Sequence, residues 1–164
     1  MTAPDQAEFA RLAAELTADL ANLDALVGSL ADWTKRDAAE PEILIPAALL
    51  HHVYTGIETM LSRLAVGLEG SEPTGPESHR RLLLLAGLEV KGIRPAWFSA
   101  QQLDTLRELL GFRHLFRHGY GAKYRPDRIR ELAALAVGAW ASLRASLARA
   151  IEMVEGLTAG GPSA

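Results

Sequence analysis

The residues best suited to chemistry lie together in one stretch, Gly111-Phe112-Arg113-His114-Leu115-Phe116-Arg117-His118-Gly119-Tyr120. Arg113, His118 and Tyr120 stand there at the spacing Arg-x4-His-x-Tyr. Histidine titrates near neutrality and can take or give a proton at ordinary pH. Arginine stays charged, and its planar fork donates several hydrogen bonds to a phosphate. Metal-free RNA cleavage needs those functions: a base at the 2′-hydroxyl, an acid at the departing 5′-oxygen, and positive charge where the phosphate becomes more negative. A well-placed acid or base contributes roughly 10²–10⁴ in rate. The competing explanation is structural. Basic residues in a helix's last turn are favoured by the helix dipole, and a histidine followed by glycine is an ordinary helix end.

The spacing itself raises a difficulty. Residues five apart on a helix differ by about 140° of rotation and roughly 7.5 Å of rise, so Arg113 and His118 do not point the same way. A two-fold dimer that joins two such helix ends would gather two arginines and two histidines around one cleft. His114 and His118 are four apart and share a helix face, which is the spacing of a metal pair. No HExxH arrangement accompanies them and the chain has no cysteine, so neither a metal nor a cofactor is expected. His114 is open to two roles, a second general acid or a cleft wall. Arg117, one turn beyond Arg113, is a second phosphate contact or a solvated charge. Lys123, Arg125 and Arg128 are expected to add sequence-independent affinity for an RNA backbone, an affinity that weakens with salt. His79 is a cap, a packing group or a cleft residue, and Glu58 is a candidate partner for an arginine of the motif. His51 and His52 face different directions and have no assigned role.

The elements that must position these residues are helices. Phe9, Leu12, Leu16, Leu20, Leu23, Leu26, Leu30 and Trp33 recur at three- and four-residue steps and predict a first helix over about 4–38. Leu50, Val53, Ile57, Met60, Leu61, Leu64 and Leu68 predict a second over about 42–69, with Pro46 in its first turn and Gly70 as its stop. A short third helix is expected over about 76–88, opened by a Thr74/Glu77 capping box and carrying four consecutive leucines. After a loop anchored by Ile93, Trp97 and Phe98, a Ser99/Gln102 capping box opens the fourth helix, which ends near Gly119. The fifth starts near Pro126 and runs to about Gly156 on a stripe that includes Leu132, Leu135, Trp140, Leu143, Leu147 and Val154. The expected fold is all-α, an up-and-down antiparallel bundle of about five helices. The 164 residues are expected to form one domain, with the core at about 5–157 and a frayed tail at 158–164.

Net charge is −3, but the distribution is uneven. Between Arg107 and Arg130 seven basic residues face two acidic ones, a net of +5 that leaves −8 for the rest of the chain. No apolar run approaches a membrane span, and the polar start of the chain carries no signal-peptide pattern. A cytoplasmic protein without a membrane partner is the expectation.

The helix end resembles the signature of the HEPN superfamily, in particular the HepT-like ribonuclease toxins, which carry Arg-x4–6-His-x-Tyr at the end of a helix in a compact bundle. Arg113, His118, Gly119 and Tyr120 fit that pattern without a gap. Tyr54-Thr55-Gly56-Ile57-Glu58, His79 with the leucine run, and Gly92-Ile93-Arg94-Pro95 are also similar to the family, and the likeness covers about residues 10–155. Only the Arg-His-Tyr motif is specific. The resemblance implies a metal-independent endoribonuclease toxin of a bacterial type II/VII-like toxin–antitoxin system, acting on RNA as a homodimer with the motif in a shared cleft. It implies Arg113 on the phosphate, His118 as acid/base, and a minimal nucleotidyltransferase antitoxin that adds AMP to Tyr120. The alternative is a catalytically silent HEPN helical module that binds a nucleotidyltransferase or another protein.

Overall fold

The computed structural model describes residues 3–36, 43–118 and 124–159. Five helices account for most of them: α1 (Ala3–Thr34), α2 (Leu44–Glu69), α3 (Ser78–Ala86), α4 (Ala100–His118) and α5 (Pro126–Ala159). Among the described residues there is no strand, only an isolated antiparallel bridge between Val90 and Arg94. The protein is an all-α helical bundle.

Contacts between named side chains give the directions. Glu15 and Asp19 of α1 reach Arg63 of α2, and Leu23 lies against Gly56 while Leu12 lies against Gly67. Higher numbers on one helix meet lower numbers on the other, so α1 and α2 are antiparallel. The same rule holds for α1 and α5, where Asp24 meets Trp140 and Arg144 and Trp33 lies under Arg130. It holds again for α4 and α5, where Gln102 meets Ser142 and Glu108 meets Arg128. The α1–α2 contact is close because Gly56 and Gly67 have no side chain: a Cβ there would come within 2.7 Å and 2.5 Å of leucine methyls on α1.

The core is built from the expected stripes. Leu16, Leu23 and Leu30 of α1, Leu50, Ile57, Met60 and Leu64 of α2, Leu106 and Leu109 of α4, and Ile129 and Leu132 of α5 are buried in one cluster. The four leucines at 82–85 form helix, with Leu82 and Leu83 inward and Leu84 exposed. The Ser99/Gln102 box forms as expected: the Ser99 N–H donates to Gln102 Oε1 at 2.8 Å and the Gln102 N–H donates to Ser99 Oγ at 3.3 Å. The same Gln102 amide nitrogen donates to Ser142 and Ser146 and so ties this cap to α5. Pro46 falls in the first turn of α2, and Gly70 closes it at φ 77°.

Several expectations are corrected. α1 ends at Thr34, short of Ala38. The Thr74/Glu77 box does not form: a turn at Gly75 (φ 92°) intervenes, the helix starts at Ser78, and Glu77 makes no side-chain cap. α5 passes through Gly156 to Ala159 because the inward stripe continues, with Ile151 and Val154 buried and Leu157 partly so; the expected tail therefore loses residues 158 and 159 to the helix, and 160–164 lie outside the described residues. Leu135 is exposed rather than part of the stripe. Ile93 does not anchor the loop before α4; it is 42% exposed. Arg94, only 5% exposed, does so with Trp97 and Phe98. Arg94 pairs with Glu69 at 2.6 Å, donates to the carbonyls of Leu85, Leu88 and Pro95, and lies over the Trp97 ring.

Replacing Arg94 with methionine keeps the length of the side chain but leaves Glu69 and those carbonyls without their donor. Breaking such a buried pair costs about 3–5 kcal/mol. Equilibrium urea unfolding of Arg94→Met is expected to show a loss in that range at an unchanged m-value.

Candidate functional site

The orientation of α4 is set by aromatic packing. Phe112 is buried and its ring meets those of Phe116 and Tyr124 at 6.1 Å, while Phe116 stacks on Tyr124 at 5.8 Å. With Phe112 turned that way, the next residue is turned by about 100°, toward α2. Arg113 is only 7% exposed there. Its Nη2 lies 3.0 Å from Glu58 Oε2. The second oxygen of Glu58 lies 2.6 Å from His79 Nδ1 on α3. One carboxylate on α2 thus holds the arginine of α4 and the histidine of α3 at once. Arg113 Nε is buried and has no hydrogen-bond partner.

Tyr54, one turn before Glu58, is fully buried. Burial, and then the negative charge of Glu58, push its hydroxyl well above the ordinary tyrosine range, while Arg113 pulls it down. It therefore stays neutral beside the ion pair.

Arg113, His79 and His114 line one cavity of about 580 Å³ between α3 and α4, together with Arg80, Arg107, Glu77 and the apolar Leu83, Leu84 and Leu110. His118 is one turn beyond His114 and exposed, and the two rings sit 4.7 Å apart. Two cations of the cavity wall have local partners, Arg80 with Glu77 at 3.5 Å and Arg107 with Asp104 at 2.5 Å. These pairs are exposed and worth little in stability.

Arg117, Arg125, Arg128 and Arg130 are not among the residues that line the cavity. Arg117 and Arg125 are exposed. Arg128 lies away from the cavity and is held by Glu108 and Glu131, and Arg130 covers the Trp33 ring. Tyr120, Lys123 and the glycine stop at Gly119 lie outside the described residues. No group of three or more His, Cys, Asp or Glu residues capable of holding a metal occurs among the described residues.

On the opposite flank of Arg113, His51 stacks on Phe116 with centroids 4.9 Å apart. Its Nδ1 is buried without a partner. Burial pushes the His51 pKa below its ordinary 6.5, and the positive charge of His52, Arg113 and Arg117 adds to the effect.

A family model described as HepT-like protein matches residues 46–154. The chain belongs to the HepT-like family. The match takes in Glu58, His79 and the helix end from Arg113 to His118, and leaves α1 outside. Neither a curated protein nor a solved structure matches the chain.

Among the residues singled out from sequence, Arg113, His114 and His79 share the cavity and His118 lies next to His114 of its wall; Arg128 does not join them. Glu58 is, from sequence, a candidate partner for a motif arginine, and the fold pairs it with Arg113 and also with His79. Its signal is faint: a carboxylate one residue after Ile57 on the buried stripe, with a side chain only 12% exposed in the fold.

Two outcomes follow from this geometry. Glu58→Ala leaves a buried guanidinium unpaired and is expected to cost about 3–5 kcal/mol. Arg113→Met should cost less, because Glu58 keeps its bond to His79; urea unfolding of the two variants measures the difference, and equal losses would count against the arrangement. For His51, the unfolded chain protonates near 6.5 and the folded chain only at lower pH. Its effect on stability is therefore absent above that value and grows as a penalty as pH falls toward the folded pKa. Unfolding compared at about pH 7.5 and about pH 5.5 should show a smaller acid loss in His51→Phe than in the parent.

Proposed function

We propose that this HepT-like protein is a metal-independent endoribonuclease, the toxin of a bacterial toxin–antitoxin pair, acting as a homodimer. The observation that carries this reading is a guanidinium, Arg113, held rigidly by Glu58 in the wall of a cavity that also presents His79 and His114 and adjoins His118. Arg113 would meet the phosphate and spread its developing charge. His118 would move the proton at the scissile bond. Family membership supports the class of protein, and the Arg-x4-His-x-Tyr spacing supports the assignment of roles. The five-residue offset between Arg113 and His118 is the reason for two protomers: each chain presents the two groups about 140° apart, and a second helix end can complete the set.

In the same reading Tyr120 is the site at which a minimal nucleotidyltransferase antitoxin adds AMP, placing anionic bulk in a cationic cleft. Arg117, Arg125 and Lys123 contribute salt-sensitive affinity for RNA backbone; Arg128, already held by two glutamates, contributes less. The chain acts as a single domain in the cytoplasm. No helix among the described residues is long and apolar enough to cross a membrane.

One observation favours a second reading. Arg113 is already neutralised by Glu58 and mostly covered, as suits a structural ion pair in a silent module that binds a nucleotidyltransferase or another protein.

Expression of the chain alone is expected to arrest growth, and Arg113→Ala or His118→Ala to relieve it, with RNA cleavage by the purified variants reduced by roughly 10²-fold or more. Cleavage at the parent's rate by both variants would remove the site assignment. Chelator should leave the parent's activity intact. After co-expression with a nucleotidyltransferase partner, intact-mass and peptide analysis should find AMP on Tyr120.

A further inference from the structure

The cavity contains a histidine that the Arg-x4-His-x-Tyr motif does not include. His79 is the second residue of α3, and its Nδ1 lies 2.6 Å from Glu58 Oε1. Glu58 is held by Arg113 through its other oxygen. An ionised carboxylate only accepts hydrogen bonds, so the proton of a neutral His79 ring sits on Nδ1. The other nitrogen, Nε2, is then a proton acceptor. A carboxylate behind the ring fixes both its tautomer and its orientation, as in hydrolytic triads. The His79 side chain remains 41% exposed, and it lines the same cavity as Arg113.

We propose that His79 is a catalytic base of this cavity, with its Nε2 taking the 2′-hydroxyl proton of an RNA phosphodiester held at Arg113. The inference rests on the ribonuclease reading and adds the residue which that reading lacks. It also supplies a base whose place beside Arg113 does not depend on the turn of the motif. Arg113 and His118 are turned apart on one helix, whereas Arg113 and His79 are brought together by a shared carboxylate within one chain. In the step itself, the 2′-oxygen forms a bond to phosphorus as its proton passes to His79. The bond from phosphorus to the 5′-oxygen breaks, and that oxygen receives a proton from a protonated His118, which in the homodimer reading comes from the second protomer. The products are a 2′,3′-cyclic phosphate and a 5′-hydroxyl, with no water, metal or redox partner consumed. Glu58 is a positioning residue in this scheme, since it acts through His79 and Arg113. The charged and titratable groups around His79 are Glu58 and Arg63 of α2, Arg113, His114 and Arg107 of α4, Arg80 of its own helix, and Glu77 and Glu72 of the preceding segment.

The test uses the full-length protein and a mixed-sequence fluorogenic RNA oligonucleotide, with parent, His79→Ala, His79→Asn and His118→Ala side by side. Asparagine at 79 can still donate to Glu58 but cannot titrate, so it carries the test even where alanine disturbs the fold. Both His79 variants are expected to lose about 10²–10⁴ in kcat with KM changed little. The acid limb of their pH profile should disappear, and added imidazole should restore part of the activity of His79→Ala. The parent's product should end in a cyclic phosphate. Parent-like kcat in His79→Asn, or a loss confined to KM, overturns the role of His79; a concurrent loss in His118→Ala then leaves the ribonuclease reading standing. Absence of cleavage by the parent overturns both.

Discussion

The ion pair between Arg113 and Glu58 is the constraint on which the rest of the site depends. A guanidinium cannot shed its charge, and an uncompensated charge this deeply covered would be strongly destabilising. The bundle therefore has to bring a carboxylate to it. Glu58 does so from α2, and with its second oxygen it also holds His79 of α3. Three helices are thereby locked in register at one point, in the wall of the cavity between α3 and α4.

That lock has chemical consequences. A buried pair of this kind contributes little net stability compared with apolar packing, but it fixes geometry. The arginine keeps one orientation, and the histidine keeps one tautomer. Tyr54, buried one turn away, stays neutral and adds no competing charge. His51 on the other flank is driven toward its neutral form by burial and by neighbouring cations. The region around Arg113 is thus a place where positive charge is crowded and one carboxylate keeps it in order. An incoming phosphate would meet a preorganised cation there, which is the condition under which electrostatic stabilisation is strong.

The supporting frame is conventional helix packing with specific fastenings. Gly56 and Gly67 let α1 come close to α2. Gln102 serves both as a capping residue of α4 and as a bond to α5. Arg94 gathers the end of α2, the end of α3 and the following loop around one buried guanidinium. Gln102 and Arg94 are polar groups with several hydrogen-bond partners each, so the cost of burying them is offset. Together they hold α4 firmly enough for its last turn to present His114 and His118 at the edge of the cavity.

The helices, their inward stripes, the Ser99/Gln102 cap, the Gly70 stop and the Arg-x4-His-x-Tyr spacing were legible in the sequence, because each depends on residues within a few positions of one another. Local periodicity also set the 140° offset between Arg113 and His118 once α4 was known to be helical through His118. What local pattern could not decide was which charges meet. The segment from Arg107 to Arg130 carries a net +5 by count, yet in the fold Arg107, Arg113 and Arg128 each face a carboxylate and Arg130 faces an aromatic ring. The anchoring role of Arg94 rather than Ile93, and the placement of His79 beside Arg113, had the same source. Contacts between residues tens of positions apart depend on helix crossing and register, which are settled by how whole surfaces pack. The sequence by itself therefore determined the helices and the reactive residue types; only the tertiary structure decided that Glu58 joins Arg113 to His79.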